Sequence, residues 1–168
     1  YFTSNVNICM KPTVLDYDGL KVAVIPWINN SNYKEYTEWA QKCEASILGA
    51  HLELKGFDMM AGIPNPHGMN ADIFSRFESV LSGHFHTKSH QGNVQYLGSQ
   101  MEFTWADVDD PKYFHVLDTE TREIEAVRNP ITIFKKVVYD DTKIDYDKID
   151  MKQFEKKFIK LIVINKND

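Results

Sequence analysis

Cysteine is scarce in this sequence. Cys9 and Cys43 are the two among 168 residues, too few for a disulfide framework, and that scarcity predicts a reducing, cytoplasmic compartment. Long apolar runs are missing as well: the longest, 22–28, contains Pro26 and falls far short of the roughly 20 residues that span a bilayer. A soluble protein with no membrane partner is expected, and no basic-then-apolar opening segment marks a secretory signal. An excess of positive charge is lacking too, since 19 Lys+Arg stand against 24 Asp+Glu for a net −5. The whole chain thus lacks the basic signature of a compact nucleic-acid binder. No Walker loop, dinucleotide-binding glycine fingerprint, nucleophile elbow or zinc-binding cysteine cluster occurs, which removes several common chemistries from consideration.

What is present is the composition of an ordinary globular protein, 43% hydrophobic and 12% aromatic. A chain of this length can bury one good core without disulfides or metals. Charge is uneven: residues 1–130 carry 10 basic and 17 acidic side chains, whereas 131–168 carry 9 and 7. In that more basic tail the lysines alternate with Asp140, Asp141, Asp145, Asp147 and Asp150, the pattern of a solvated face.

The mixture of β-prone runs with few helical stretches predicts an α/β (α+β) protein. Asp18-Gly19 between the runs 13–18 and 20–28 reads as a hairpin. Asn32 and Glu35 resemble a capping box opening a helix over about 33–44, with Tyr33, Tyr36, Ala40, Cys43 and Ile47 at helical spacing. Cys43 falls on that apolar face and Cys9 in a strand-like segment, so neither is a good nucleophile. Residues 46–50 and 79–83 read as short buried strands. Between them the prolines and glycine of 63–68 predict a loop, followed by a short helix over about 70–77. Further strands are expected at 94–97, 113–118, 123–127 and 131–139, then an acidic linker, a short amphipathic stretch at 151–154 and an apolar run at 158–164 that needs partners.

Six histidines are present, and three of them, His51, His84 and His86, occupy a telling local context. Ile47-Leu48-Gly49-Ala50-His51 and Val80-Leu81-Ser82-Gly83-His84 share one template: a buried strand, small residues, then a histidine. His84 and His86 are two apart, so in an extended chain both rings face one side. Neutral imidazole is the commonest protein metal ligand, and ligands on loops over a rigid sheet suit a metal centre. His-x-His alone also fits a pair of surface histidines; the matching template at His51 favours convergence. His115, in an alternating strand, and His90, in a polar loop before Gly92, read as structural or solvated, and His67 in its Pro/Gly loop stays undecided. Asp107-Val108-Asp109-Asp110-Pro111 opens like a calcium loop, but Lys112 stands where glycine is required and Asp118 where glutamate is, so it reads as a solvated turn.

Gly83-His84-Phe85-His86, preceded by Gly49-Ala50-His51, resembles the C-terminal metal motifs of the calcineurin-like metallophosphoesterases. The following Val94-Gln95-Tyr96-Leu97-Gly98-Ser99, Phe103, and the Asp109-Asp110-Pro111-Lys112-Tyr113-Phe114 turn into a hairpin ending at Asp118-Thr119-Glu120-Thr121 resemble its DNA double-strand-break repair branch. That branch holds the SbcD-type nucleases and the recombination endonuclease subunits of tailed phages. The resemblance runs over about 13–130 and more loosely beyond. It implies part of a β-sandwich flanked by helices, two divalent metal ions, usually manganese, and hydrolysis of DNA phosphodiesters in repair and recombination. His51 and His84 match ligands of one metal and His86 a ligand of the other. It further implies DNA and an SbcC-type ATPase subunit as partners, a homodimer, and host cytoplasm if the chain is phage-encoded. Residues 1–130 correspond to the rear of the nuclease domain and 131–168 to a linker with the first elements of a small capping domain.

The family's N-terminal Asp-x-His, Gly-Asp and Gly-Asn-His motifs do not occur. The chain is therefore expected to be a piece of a longer protein, inactive alone, since two dications without a bridging carboxylate repel one another. Two other readings stand beside the nuclease: a metallophosphoesterase for small phosphodiesters or phosphoproteins, and a noncatalytic scaffold or binding module of the same fold.

Overall fold

The computed structural model describes residues 6–60, 62–143 and 148–166. Asp145, Asp147 and part of the expected acidic linker lie outside these residues. The described chain is mixed α/β, mostly strands in several sheets, as the composition and patterning predict and as suits part of a β-sandwich.

A hairpin opens the chain. β1 (Thr13–Tyr17) pairs antiparallel with β2 (Leu20–Ile25) across Asp18 and Gly19, both at positive φ, the conformation a two-residue hairpin turn demands and glycine adopts without strain. β2 stops before Pro26, whose missing N–H cannot extend a ladder. Helix α1 (Tyr33–Lys42) follows and buries Tyr36 and Ala40. It differs from expectation at both ends. The Asn32 side chain does not cap the helix; its Oδ1 accepts from the Asn29 N–H at 2.8 Å and its Nδ2 donates to the Trp27 carbonyl at 3.0 Å, closing the turn before the helix. Ile47 belongs to the next strand, and Tyr33 is exposed.

The apolar runs become β3 (Ile47–Ala50) and, after a small hairpin of β4 (Asp58–Met60) and β5 (Ile63–Pro64), β6 (Ser79–Ser82). The segment expected to be wholly loop thus contains a two-residue strand, tolerable because proline at an exposed edge sacrifices no ladder bond. The helix expected over 70–77 is a single 3₁₀ turn, Ala71–Phe74, capped by the Asn70 side chain on the Asp72 N–H. β7 (Ser89–Gln91) and β8 (Val94–Tyr96) complete a six-stranded sheet of order β1-β2-β3-β6-β8-β7. His90 therefore lies on an exposed edge strand rather than in a loop.

The four inner strands run parallel, with Ile25 opposite Ala50 and Ala50 opposite Ser82. Their carboxyl ends share one edge of the sheet. Ala23, Leu48, Val80 and Val94 from these strands join Tyr36, Phe57, Phe74 and Tyr96 in one core. β9 (Lys112–Leu117) and β10 (Ile124–Asn129) form a separate antiparallel hairpin. The apolar run that needed a partner, β12 (Phe158–Ile164), finds one in β11 (Phe134–Asp140), in parallel register, although every residue of β12 stays exposed. Glu102 ties this unit to the rest: its buried carboxylate accepts from the Ile133 and Phe134 N–H groups.

Candidate functional site

The carboxyl ends of parallel strands are where open α/β sheets place ligands, and here they carry two histidines. His51 follows β3 directly and His84 follows β6 after one glycine. Because β3 and β6 are in register, with the Gly83 N–H donating to the Ala50 carbonyl at 3.0 Å, the two rings emerge side by side. His51 Nε2 lies 3.3 Å from His84 Nδ1, and Trp27, beyond the end of β2, packs against both at centroid distances of 5.6 and 5.3 Å. Glycine at 83 is a packing requirement. A Cβ there would sit 2.8 Å from His51 Nδ1, closer than non-bonded atoms tolerate.

His84 pays for its position with backbone strain, since its φ is +88°, where a side chain is disfavoured by roughly 1–3 kcal/mol. His84→Gly should therefore be about 1 kcal/mol more stable than His84→Ala in urea unfolding, both lacking the imidazole; equal stabilities would show that the site stores no strain. Burial, and then the neighbouring His84, push the His51 imidazole below its ordinary pKa, so at neutral pH this ring keeps a lone pair to offer a cation.

His86 is turned to another partner. Its Nδ1 lies 3.1 Å from Asp107 Oδ1, and its ring lines a groove of about 180 Å³ with His84, Met59, Met60 and Thr87. Asp107 was expected in a solvated turn, and the structure overturns that: it is 2% exposed. Oδ2 accepts from the Phe103 N–H (2.9 Å), the Thr104 N–H (2.7 Å) and the Thr104 hydroxyl (3.1 Å), while Oδ1 accepts from the equally buried Lys112 ammonium at 3.0 Å. Lys112 also donates to the His86 carbonyl and, at 2.7 Å, to Asp110. Burial by itself would raise the Asp107 pKa, but Lys112 and the two backbone N–H groups together outweigh it and hold the carboxyl well below the usual range. A carboxylate beside Nδ1 favours the tautomer protonated there and leaves Nε2 as the donor atom, the arrangement that orients metal-ligating histidines. The sequence did contain a signal for this ordered turn: Thr104 and Asp107 form a capping box around the 3₁₀ turn Trp105–Asp107.

The remaining histidines stay apart. His67 is exposed, its backbone N–H on Asn65 Oδ1; His115 is half-buried on β9 beside Tyr113. Among the described residues no three His, Cys, Asp or Glu side chains gather closely enough to hold a metal ion. The donors present fit part of a metal site: two imidazoles at one point, a third oriented by a carboxylate nearby and, among the described residues, no carboxylate joining the pair.

No protein-family model matches the chain. It is 36% identical over 165 residues, 97% of its length, to the protein named "Exonuclease subunit 1" of Enterobacteria phage T4. The chain spans about half, 47%, of the length of that curated relative.

Proposed function

We propose that the protein carrying this chain is a metal-dependent DNA nuclease of recombination and repair, of the SbcD type, and that His51 and His84 bind one divalent ion while His86 binds a second. The convergence of His51 and His84 at the ends of β3 and β6 carries this reading. A relative named as an exonuclease subunit supports it. Two divalent ions in such a site, manganese by family resemblance, supply polarisation of the phosphodiester and a metal-activated water. This chain's own part is to hold imidazoles in place: Trp27 and Gly83 fix the pair, and the Asp107 carboxylate orients His86. Acting as one subunit of a larger assembly in the host cytoplasm, with an SbcC-type ATPase and a second copy of itself as partners, belongs to the same reading, as does a boundary near residue 130 between nuclease and capping parts.

Because three neutral donors leave two dications unscreened, the 168-residue chain alone should not cleave DNA. The deciding experiment compares linear duplex DNA with bis-p-nitrophenyl phosphate as substrates for the full-length protein that carries this chain, with Mn²⁺ and with EDTA. DNA cleavage that needs the metal and falls at least about 100-fold in His84→Ala is expected. Cleavage of only the small diester would favour the small-substrate phosphoesterase, no hydrolysis of either the noncatalytic scaffold, and metal-dependent cleavage by the 168-residue chain would overturn the division of labour proposed.

A further inference from the structure

The segment 98–107 is fastened to His86 at both of its ends. At its start the Ser99 N–H donates to the His86 carbonyl at 3.0 Å. Gly98 lets the chain come this close: its φ is +73°, and a Cβ there would sit 2.9 Å from the His86 carbonyl oxygen. At its end Asp107 places Oδ1 3.1 Å from His86 Nδ1. Between the two anchors the Phe103 and Thr104 N–H groups donate to Asp107 Oδ2, and the Phe103 ring lies 5.6 Å from the His86 ring. One short stretch of chain thus grips His86 at its carbonyl and at its imidazole.

The same stretch is held from its other side by β11. Glu102 is buried, and its Oε2 accepts from the Ile133 N–H and, at 2.8 Å, from the Phe134 N–H. Trp105 packs on Phe134 at a centroid distance of 4.9 Å, and Phe134 stacks on Phe158 of β12 at 5.6 Å. Hydrogen bonds to a carboxylate are stronger than neutral ones, and a buried carboxylate that loses them has no water to replace them. Glu102 therefore follows β11. The Phe103 N–H lies in the rigid peptide plane that begins at Glu102, so a shift of Glu102 passes directly into the donors that hold Asp107, and from Asp107 to the His86 ring.

We propose that Glu102 is a positioning residue for His86: through Phe103, Thr104 and Asp107 it makes the orientation of the His86 imidazole depend on how β11 is seated. The proposal rests on the nuclease reading only for what His86 then does, which is to offer Nε2 to the second ion. His51 and His84 stand outside this chain of bonds, since the ends of β3 and β6, Trp27 and Gly83 hold them. Loss of Glu102 should accordingly disturb one side of the site and spare the other. Energetic coupling is reciprocal, so a disturbance at Asp107 travels back to the first residues of β11.

The test is NMR of this chain without metal, reading the imidazole nitrogens of His51, His84 and His86 and the amides of Ile133 and Phe134. Glu102→Ala should displace or broaden the His86 signals and leave those of His51 and His84 in place. Glu102→Gln, whose amide oxygen still accepts from both N–H groups, should keep His86 near its unmodified position. Leu20→Ala, at a buried position of β2, lowers stability away from the segment and should also leave His86 in place. Asp107→Asn is read in the opposite direction. Its NH₂ must face either Lys112 and His86 or the Phe103 and Thr104 N–H groups, donors in both cases, so the segment shifts and the Ile133 and Phe134 amides should move with it. That variant keeps Glu102 and carries the decision should Glu102→Ala fail to fold. In the full-length protein Glu102→Ala should raise the Mn²⁺ concentration for half-maximal cleavage about tenfold, the rate at saturating Mn²⁺ falling less than about twofold. Unmoved His86 signals in Glu102→Ala, an equal displacement in Leu20→Ala or Glu102→Gln, or unmoved Ile133 and Phe134 amides in Asp107→Asn would overturn the proposal. Because the NMR readout involves neither ion nor DNA, absence of cleavage by the full-length protein removes the nuclease reading and leaves the positioning of His86 standing. Cleavage lost in His84→Ala beside unmoved His86 signals in Glu102→Ala removes the positioning alone.

Discussion

Lys112→Met should be the most damaging of the conservative-volume substitutions, lowering stability to urea by about 3–5 kcal/mol. The side chains of Lys112 and Asp107 are each 3% exposed, so removing the ammonium leaves a buried carboxylate facing His86 with only the N–H groups of Phe103 and Thr104 and the Thr104 hydroxyl to hold it. The loss should depend on pH in a definite direction. In the unmodified protein Asp107 is held below its ordinary pKa, so the stability it contributes is present above about pH 4 and drains away as pH falls further. In the variant, burial is no longer offset by Lys112, and the carboxyl takes up a proton at higher pH than before. The stability gap between the two proteins should therefore narrow toward acid pH, as read from urea midpoints between pH 3 and 7. A gap that is constant or widens would mean that the pair is less desolvated than its exposure indicates. Replacing Asp107 by Asn together with Lys112→Met should cost less than the two changes summed, because the second partner is then no longer an unpaired charge.

That pair also marks where reading from the sequence stops. The strands β3 and β6 are visible as apolar runs ending in small residues, the β1–β2 turn in Asp18-Gly19, and the pairing of His51 with His84 in a repeated template, because each rests on neighbours in the chain. Asp107 and Lys112 have no such local mark as buried groups. What removes them from water is His86, 21 residues earlier, and N–H groups aimed by a 3₁₀ turn, so a run of acids that looks solvated becomes the support of a candidate ligand. Asn32 fails for a related reason: its side chain can cap a helix or close the preceding turn, and Trp27 and Asn29 decide in favour of the turn. β12 needed a parallel partner that the alternation within one strand does not name.

Tyr96→Ala should cost about 3–5 kcal/mol, as for other large buried aromatic side chains, and the smaller change Tyr96→Phe about 2 kcal/mol for a different reason. Tyr96, on β8, is fully buried, its ring 4.9 Å from Phe57 and 4.7 Å from Phe85. Its hydroxyl donates to the Leu52 carbonyl at 2.8 Å and accepts from the Leu54 N–H at 3.0 Å. Phenylalanine keeps the ring and strands both backbone groups away from water, a penalty of about 1–3 kcal/mol. Those groups belong to the segment that immediately follows His51, so the hydroxyl, together with the Ser82 hydroxyl that accepts from the Leu52 N–H at 3.1 Å, anchors the histidine loop to the sheet. Tyr96→Phe should accordingly broaden or shift the His51 imidazole resonances while leaving those of His115, on the separate β9–β10 hairpin, in place. Alkali supplies an independent check. Burial pushes the Tyr96 hydroxyl up to about 12, above its unfolded value near 10, so the stability tied to the protonated phenol is intact below about pH 10 and is lost as pH rises toward 12. The unmodified protein should lose stability across that interval more steeply than Tyr96→Phe, which has no proton to release there. Parallel alkaline curves for the two proteins would place the hydroxyl in water and remove it from the anchoring of His51.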